Sequence, residues 1–256
     1  MPGKSAQAEE RPVRTAPNRL LFYDVSRPTL THYRAKKGDG LRPAVLICPG
    51  GGYEFVSWIN EGTEIANWFA SRGFEAFILK YRVPNNRDGA LADAQRAISL
   101  IRAQAGSWGI DAKKIGQIGF SAGANLVART ATHHDKRIYG AIDAIDTESC
   151  RPDFSVLVYP WTLVVGENSE QELPLELRDD FPVSKTTPPV FIVQTEDDFA
   201  HVENSLAYYA ACKRAKVPAE MHLYAKGGHG YGMRPGPQCE GWQDLMATWL
   251  NRLLNR

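Results

Sequence analysis

From residue 42 onward, short apolar runs alternate with longer stretches in which apolar residues recur at helical spacing. The apolar runs are nearly continuous, which is typical of parallel strands that are covered by helices on both faces. The predicted strands comprise residues 43–48, 74–82, 114–120, 153–160, 188–196 and 219–224. The predicted helices comprise residues 61–73, 88–108, 122–133, 202–216 and 240–254. This alternation predicts an α/β fold built on a mostly parallel sheet.

Some regions fall outside this alternation. Residues 1–19 offer almost no apolar surface, and we expect them to form a disordered tail. Two further strands, near residues 20–24 and 31–35, are expected at an antiparallel edge, which gives a sheet of about eight strands. The long interval 161–187 between two predicted strands is typical of a lid-like insertion. We therefore expect one α/β domain over residues 20–256, with helices on both faces of its sheet.

Composition and charge exclude several classes of partner. The formal net charge is only +1, without a long run of either sign, which argues against nucleic acid or an anionic membrane as partner. No apolar stretch approaches the roughly 20 residues that span a bilayer, and the first residues lack the apolar centre of a signal peptide. The four cysteines are scattered and predict buried thiols rather than a metal site. Compartment and oligomeric state stay open.

A G-x-S-x-G motif follows the strand predicted over residues 114–120 and precedes a predicted helix. In this setting the serine lies on a sharp, strained turn that exposes its hydroxyl at the edge of the sheet. The motif therefore predicts Ser121 as a catalytic nucleophile. Catalysis by such a serine requires no cofactor.

A serine hydroxyl needs a base and an orienting acid. The best candidate for the base is His229, which lies in the glycine-rich segment GGHGYG just after the last predicted strand. The acid should lie between the serine and the histidine in sequence, at the end of a strand. The strand over residues 188–196 ends in Glu196, Asp197 and Asp198, any of which could orient the imidazole.

Acyl transfer also needs N–H donors for the oxyanion. Two sources are visible: the glycine run after the strand over residues 43–48, and the residue after the nucleophile. We assign the backbone N–H groups of Gly51, Gly52 and Ala122 to this role.

Several motifs together resemble those of α/β-hydrolases related to acetylxylan esterases and bifunctional acetylxylan and feruloyl esterases. They are CPGGGY, EGTEIANW, AFILKYRVP, DAQRAISLIR, GFSAGANL, CRPDFSVLVYP, TEDDFAHVENS and GGHGYG. The resemblance covers most of the chain from about Arg42 and implies an α/β-hydrolase fold. It also implies hydrolysis of short acyl esters, especially O-acetyl groups on xylan or smaller sugar esters.

The resemblance bears on individual residues as well. Family members often carry D-x-x-V-P-x-E-N-S, and aligning Glu203, Asn204 and Ser205 with that pattern implies Asp197 as the acid. Ala200 and His201 replace the V-P pair, so Asp198 stays the alternative.

A second departure is Pro49, which stands where many esterases have the histidine of an HGGG motif, so any structural hydrogen bond from that histidine is absent.

Two aromatic residues are candidates for substrate binding. Tyr53 follows the oxyanion glycines and Trp161 follows a predicted strand end. Either could line a pocket, and Trp161 could stack on a sugar ring, although a partly buried tryptophan fits its position equally well.

The expected substrates are therefore small acyl esters or acetylated carbohydrate. The alternatives are a general short-chain carboxylesterase, a feruloyl esterase, a peptidase of the prolyl-oligopeptidase type, and a non-catalytic receptor that has kept the fold.

Overall fold

The computed structural model describes residues 9–166, 175–234 and 236–255. The strands in this part of the chain are β1 (Arg11–Ala16), β2 (Arg19–Tyr23), β3 (Thr29–Tyr33), β4 (Arg42–Cys48), β5 (Phe55–Ser57), β6 (Glu75–Lys80), β7 (Ile110–Phe120), β8 (Ser155–Val158), β9 (Val190–Thr195) and β10 (Ala219–Tyr224). The α-helices are α1 (Glu64–Ser71), α2 (Arg87–Ala103), α3 (Ala105–Trp108), α4 (Ala122–Thr132), α5 (Glu203–Arg214) and α6 (Trp242–Leu254).

The central sheet has seven strands in the order β10-β9-β8-β7-β4-β6-β3. Its neighbours pair in parallel, except that β3 is antiparallel to β6 at one edge. Strands β8 and β9 are buried along their whole length, as their nearly continuous apolar runs predict. This is the α/β-hydrolase fold that the sequence indicates, with seven strands in the main sheet rather than about eight.

The missing eighth strand belongs to a second, smaller sheet. Strand β2 was expected beside β3, but it pairs antiparallel with β1 and β5 instead. The expectation of a disordered tail over residues 1–19 is therefore wrong from Arg11 onward, while residues 1–8 lie outside the described part. Strand β1 is mostly exposed, so backbone pairing with β2 rather than apolar burial orders it.

Helices cover both faces of the central sheet. Buried side chains of α2, α4 and α5 form one apolar cluster, and those of α1 and α6 form another on the opposite face. The four cysteines are buried and free, as predicted. Within the described residues no helix combines the length and apolar character needed to cross a membrane.

The interval 161–187 is only partly described, because residues 167–174 lie outside the described ranges. Its two ends meet at an antiparallel bridge between Val164 and Leu177, and Phe181 is buried against the core. The ends therefore belong to the packed domain. A lid function for this interval stays a prediction.

Candidate active site

Ser121 lies on the turn between β7 and α4, at the carboxyl end of the central strands. Its backbone has φ 53° and ψ −121°, a strained conformation for a residue other than glycine. A Cβ added to Gly119 would lie 2.1 Å from the carbonyl oxygen of Gly123, and one added to Gly123 would lie 2.0 Å from that of Cys48. The two glycines of the motif thus allow the helix to approach the strands closely enough to form the turn.

His229 lies in the loop between β10 and α6, directly above this turn. Its Nε2 is 2.8 Å from Oγ of Ser121. Its Nδ1 is 2.7 Å and 2.9 Å from the two carboxylate oxygens of Asp198. The three side chains form a continuous hydrogen-bonded series from a buried carboxylate to a hydroxyl, which is the geometry that activates a serine nucleophile.

The structure corrects the assignment of the acid from Asp197 to Asp198. Asp198 is buried and also accepts a hydrogen bond from the backbone N–H of Ala200 at 2.7 Å. Asp197 is exposed, and its Oδ1 accepts hydrogen bonds from the N–H groups of Gly228 at 2.8 Å and Gly227 at 2.9 Å. The hydrogen bond from Gly228 is the main cause that lowers the pKa of Asp197 below its usual range, and the bond from Gly227 acts in the same direction. Asp197 therefore anchors the loop that carries His229 without contacting the imidazole.

The glycine loop after β4 lies beside the nucleophile. Gly51 and Gly52 line the same cleft as Ser121. The N–H of Gly50 already donates to Oε2 of Glu61 at 2.8 Å. Ala122 is the first residue of α4, and the first N–H groups of a helix have no partner within it. This arrangement is compatible with oxyanion binding by Gly51, Gly52 and Ala122, which stays a prediction.

The two aromatic candidates differ in their placement. Trp161 is half-buried and lines the cleft. Tyr53 is 1% exposed, and its hydroxyl donates to Oδ1 of Asn125 at 2.9 Å. The expectation that Tyr53 lines the pocket is therefore wrong: the chain turns at Tyr53, with φ 59°, and directs the ring into the core.

The cleft above Ser121 has a volume of about 700 Å³. Part of its wall comes from the small sheet and the turn before β2, through Asn18, Arg19, Leu21, Phe55 and Ser57.

Several cleft residues were not identified from the sequence, among them Arg234, Phe199 and Glu61. Arg234 contributes a charge at the rim. Phe199 is 73% exposed, and its ring centroid lies 4.5 Å from that of His229. The only sequence signal for Phe199 was its position directly after the candidate acids.

Glu61 is the third of these residues, and it is buried. Burial raises the pKa of Glu61, and hydrogen bonds from Tyr159 and Gly50 oppose that rise. The motif EGTEIANW begins with Glu61, but nothing in the residue pattern distinguished it from a solvated helix-start carboxylate.

Fold and site together match one class of protein, the serine hydrolases built on the α/β-hydrolase fold. The BD-FAE family model matches residues 30–158, about half of the chain. The chain belongs to this family.

Solved and curated relatives agree with this membership. The chain is 34% identical to the acetyl ester-xyloside bifunctional hydrolase of Caldicellulosiruptor lactoaceticus, with a TM-score of 0.77 and 88% of each chain covered. It is 32% identical to endo-1,4-beta-xylanase B of Butyrivibrio fibrisolvens over 80% of this chain and 35% of that protein. It is 27% identical to an acetylxylan esterase of Xylanibacter ruminicola over 74% of this chain and 41% of that protein. The chain thus spans well under half the length of these two curated relatives.

Proposed function

We propose that this chain is a carboxylic ester hydrolase that removes short acyl groups, above all O-acetyl groups, from sugars or xylan. The observation that carries the proposal is the hydrogen-bonded series Ser121–His229–Asp198 at the floor of an open cleft.

The reaction begins when Nε2 of His229 accepts the proton of Ser121 as Oγ bonds to the ester carbonyl carbon. Asp198 accepts the Nδ1–H of His229, fixes its tautomer and stabilises the imidazolium. The carbonyl oxygen becomes an oxyanion, which the N–H groups of Gly51, Gly52 and Ala122 stabilise.

The intermediate then collapses. The bond to the alcohol oxygen breaks, and His229 donates its proton to that oxygen. Water subsequently attacks the acyl-enzyme, with His229 accepting its proton, and the carboxylic acid leaves as Ser121 is restored.

The substrate class rests on two observations. The names of two relatives include acetylxylan and acetyl ester-xyloside activities. The cleft combines charged and amide side chains at its rim with the aromatic rings of Trp161 and Phe199. Such a mixture suits a sugar, which presents hydroxyl groups at its edge and C–H groups on its faces.

The proposal is tested by rates on p-nitrophenyl acetate, butyrate and octanoate, with acetate release from acetylated xylan and ferulate release from methyl ferulate. We expect the highest kcat/KM on the acetate, release of acetate from xylan, and loss of activity in Ser121→Ala. Activity only on longer acyl chains or on ferulate would reject the acetyl-sugar assignment. Full activity in Ser121→Ala would reject the mechanism.

A further inference from the structure

Glu61 is a buried carboxylate at the floor of the cleft that the reaction above does not use. It lies in a π-helical turn, Ile59–Thr63, that leads from β5 into α1, and its exposed fraction is 5%. Oε2 accepts the Gly50 N–H at 2.8 Å, and Oε1 accepts the hydroxyl proton of Tyr159 at 2.8 Å. A buried carboxylate is costly unless such partners satisfy it, so both bonds are integral to its placement.

The Tyr159 hydroxyl extends this connection to the loop of the catalytic base. Tyr159 follows β8, and its hydroxyl oxygen accepts the N–H of Gly232 at 3.0 Å. Its ring centroid also lies 4.7 Å from that of His229. Two hydrogen bonds at one phenol group therefore connect Glu61 with the segment that carries the base.

The other partner of Glu61 precedes the assigned oxyanion donors. A Cβ added to Gly50 would lie 2.7 Å from Oε2 of Glu61 and 3.0 Å from Cβ of Ser121, so loop, carboxylate and nucleophile are in close contact. A displacement of Gly50 would be passed directly to Gly51 and Gly52. The carbonyl of Pro49 accepts the Tyr81 hydroxyl at 2.6 Å, which provides a second attachment of the same loop.

We propose that Glu61 is a positioning residue that holds the oxyanion loop against Ser121 and, through Tyr159, holds the loop of His229 in register with it. This inference rests on the proposed function, because it presumes that the loop binds the oxyanion. On this proposal Glu61 and Tyr81 anchor the oxyanion loop, whose first residue is Pro49 where many esterases have the histidine of the HGGG motif.

The test is the variant Glu61→Gln, for which kcat and KM are measured on p-nitrophenyl acetate. The affinity for an alkyl trifluoromethyl ketone, which forms an anionic adduct with a serine nucleophile, is measured as well. A glutamine is neutral, and when its oxygen accepts the Gly50 N–H its NH2 group faces Tyr159, so the Tyr159 hydroxyl can no longer donate there and both bonds lose the charge that strengthens them. We expect kcat to fall by about 10- to 100-fold, because small displacements of an oxyanion donor have effects of that order. KM should change less than threefold, and affinity for the ketone should fall in parallel with kcat/KM.

Glu75→Gln is the matched control. Glu75 is 1% exposed and bonded to His32 and Arg42, but it begins β6 at the end of the sheet opposite the site. This variant should lower the melting temperature and keep the parental kcat. If Glu61→Gln does not fold, Tyr159→Phe replaces it, with an expected loss of about 3- to 10-fold in kcat.

Parental kcat and ketone affinity in folded Glu61→Gln, or in Tyr159→Phe where that replaces it, would overturn the inference. A loss in Glu75→Gln as large as that in Glu61→Gln would also overturn it. Labelling of the parent by a fluorophosphonate at Ser121 separates the two proposals. A parent that is not labelled rejects the proposed function, whereas a labelled parent with an equally active Glu61→Gln rejects only the role of Glu61.

Discussion

At the scale of single residues, the two neighbouring aspartates after β9 have separate tasks. Asp198 contacts the imidazole, and Asp197 holds two N–H groups of the loop that carries it. We expect Asp198→Asn to lower kcat on p-nitrophenyl acetate by about 10³- to 10⁴-fold, because the imidazole loses its tautomer and its counter-charge. The matched variant Asp197→Asn should lose less than about tenfold in kcat, since the hydrogen bonds of Asp197 lie outside the path of the proton. A larger loss of kcat in Asp197→Asn than in Asp198→Asn would identify Asp197 as the acid instead.

Phe199 gives a second prediction at this scale. In the proposed reaction, an aromatic ring so exposed and so near His229 is suited to stack on a departing sugar. Phe199→Ala should lower kcat/KM for acetylated xylo-oligosaccharides by about 3- to 10-fold, in line with the value of a single ring contact. Activity on methyl acetate, whose leaving group is too small to stack, should stay unchanged.

Phe199→Trp and Ile142→Ala are the controls for this measurement. The first keeps an aromatic surface and should keep sugar-ester activity, and the second removes another exposed apolar side chain away from the cleft. Equal losses on methyl acetate and on the sugar esters in Phe199→Ala would contradict a stacking role.

The individual site residues could be predicted from sequence only where local structure dictates their role. Ser121 and His229 were predicted because a strained turn and a glycine-rich loop indicate them without knowledge of distant contacts, and their side chains lie within hydrogen-bond distance of each other. The choice between Asp197 and Asp198 depends on which carboxylate the turn after β9 directs inward, and the family register indicated the wrong one. Tyr53 was misjudged and Glu61 was missed because their burial depends on partners that lie 72 and 98 residues away in the sequence, Asn125 and Tyr159.

At the scale of elements, the turn between β7 and α4 depends on close contact between helix and strands. Gly123→Ala would place a methyl group 2.0 Å from the carbonyl oxygen of Cys48, so α4 would have to move away from β4. We expect kcat to fall by more than about 100-fold and the free energy of unfolding to fall by about 1–3 kcal/mol. Chemical denaturation and p-nitrophenyl acetate hydrolysis measure the two effects.

Gly140→Ala is the matched control for that change, because, apart from Gly140 and its chain neighbours, no heavy atom of the described residues lies within 4 Å of a Cβ added at Gly140. It should leave both quantities near parental values. An active and fully stable Gly123→Ala protein would contradict the packing account of the turn.

The elements of the central sheet were predictable because strands that are buried on both faces have nearly continuous apolar runs, as in β8 and β9. Strand β1 was missed for the opposite reason. Its side chains are largely exposed, and a segment ordered by backbone pairing has no apolar signature in the sequence. Strand β2 was predicted in the wrong sheet for a different reason, because an apolar run does not specify its pairing partner.

At the scale of the whole molecule, the small sheet joins the amino-terminal segment to the substrate cleft. Strand β1 pairs with β2 from Arg11 to Ala16, and the turn between them and the start of β2 contribute Asn18 and Arg19 to the cleft wall. Glu10 also forms an ion pair with Lys80 at 2.5 Å. Removal of residues 1–16 should therefore loosen one wall of the cleft and leave Ser121 and His229 in place.

We expect this truncation to raise KM for acetylated xylo-oligosaccharides several-fold and to leave kcat on p-nitrophenyl acetate within about twofold, because the loosened wall contacts only the larger substrate. Loss of one mostly exposed strand should cost about 1 kcal/mol, which lowers the melting temperature of a chain of this size by about 2–4 °C. Removal of residues 1–8 alone keeps β1 and serves as the control. If both truncations matched the parent on the sugar ester, the wall formed by the small sheet would have no part in binding it.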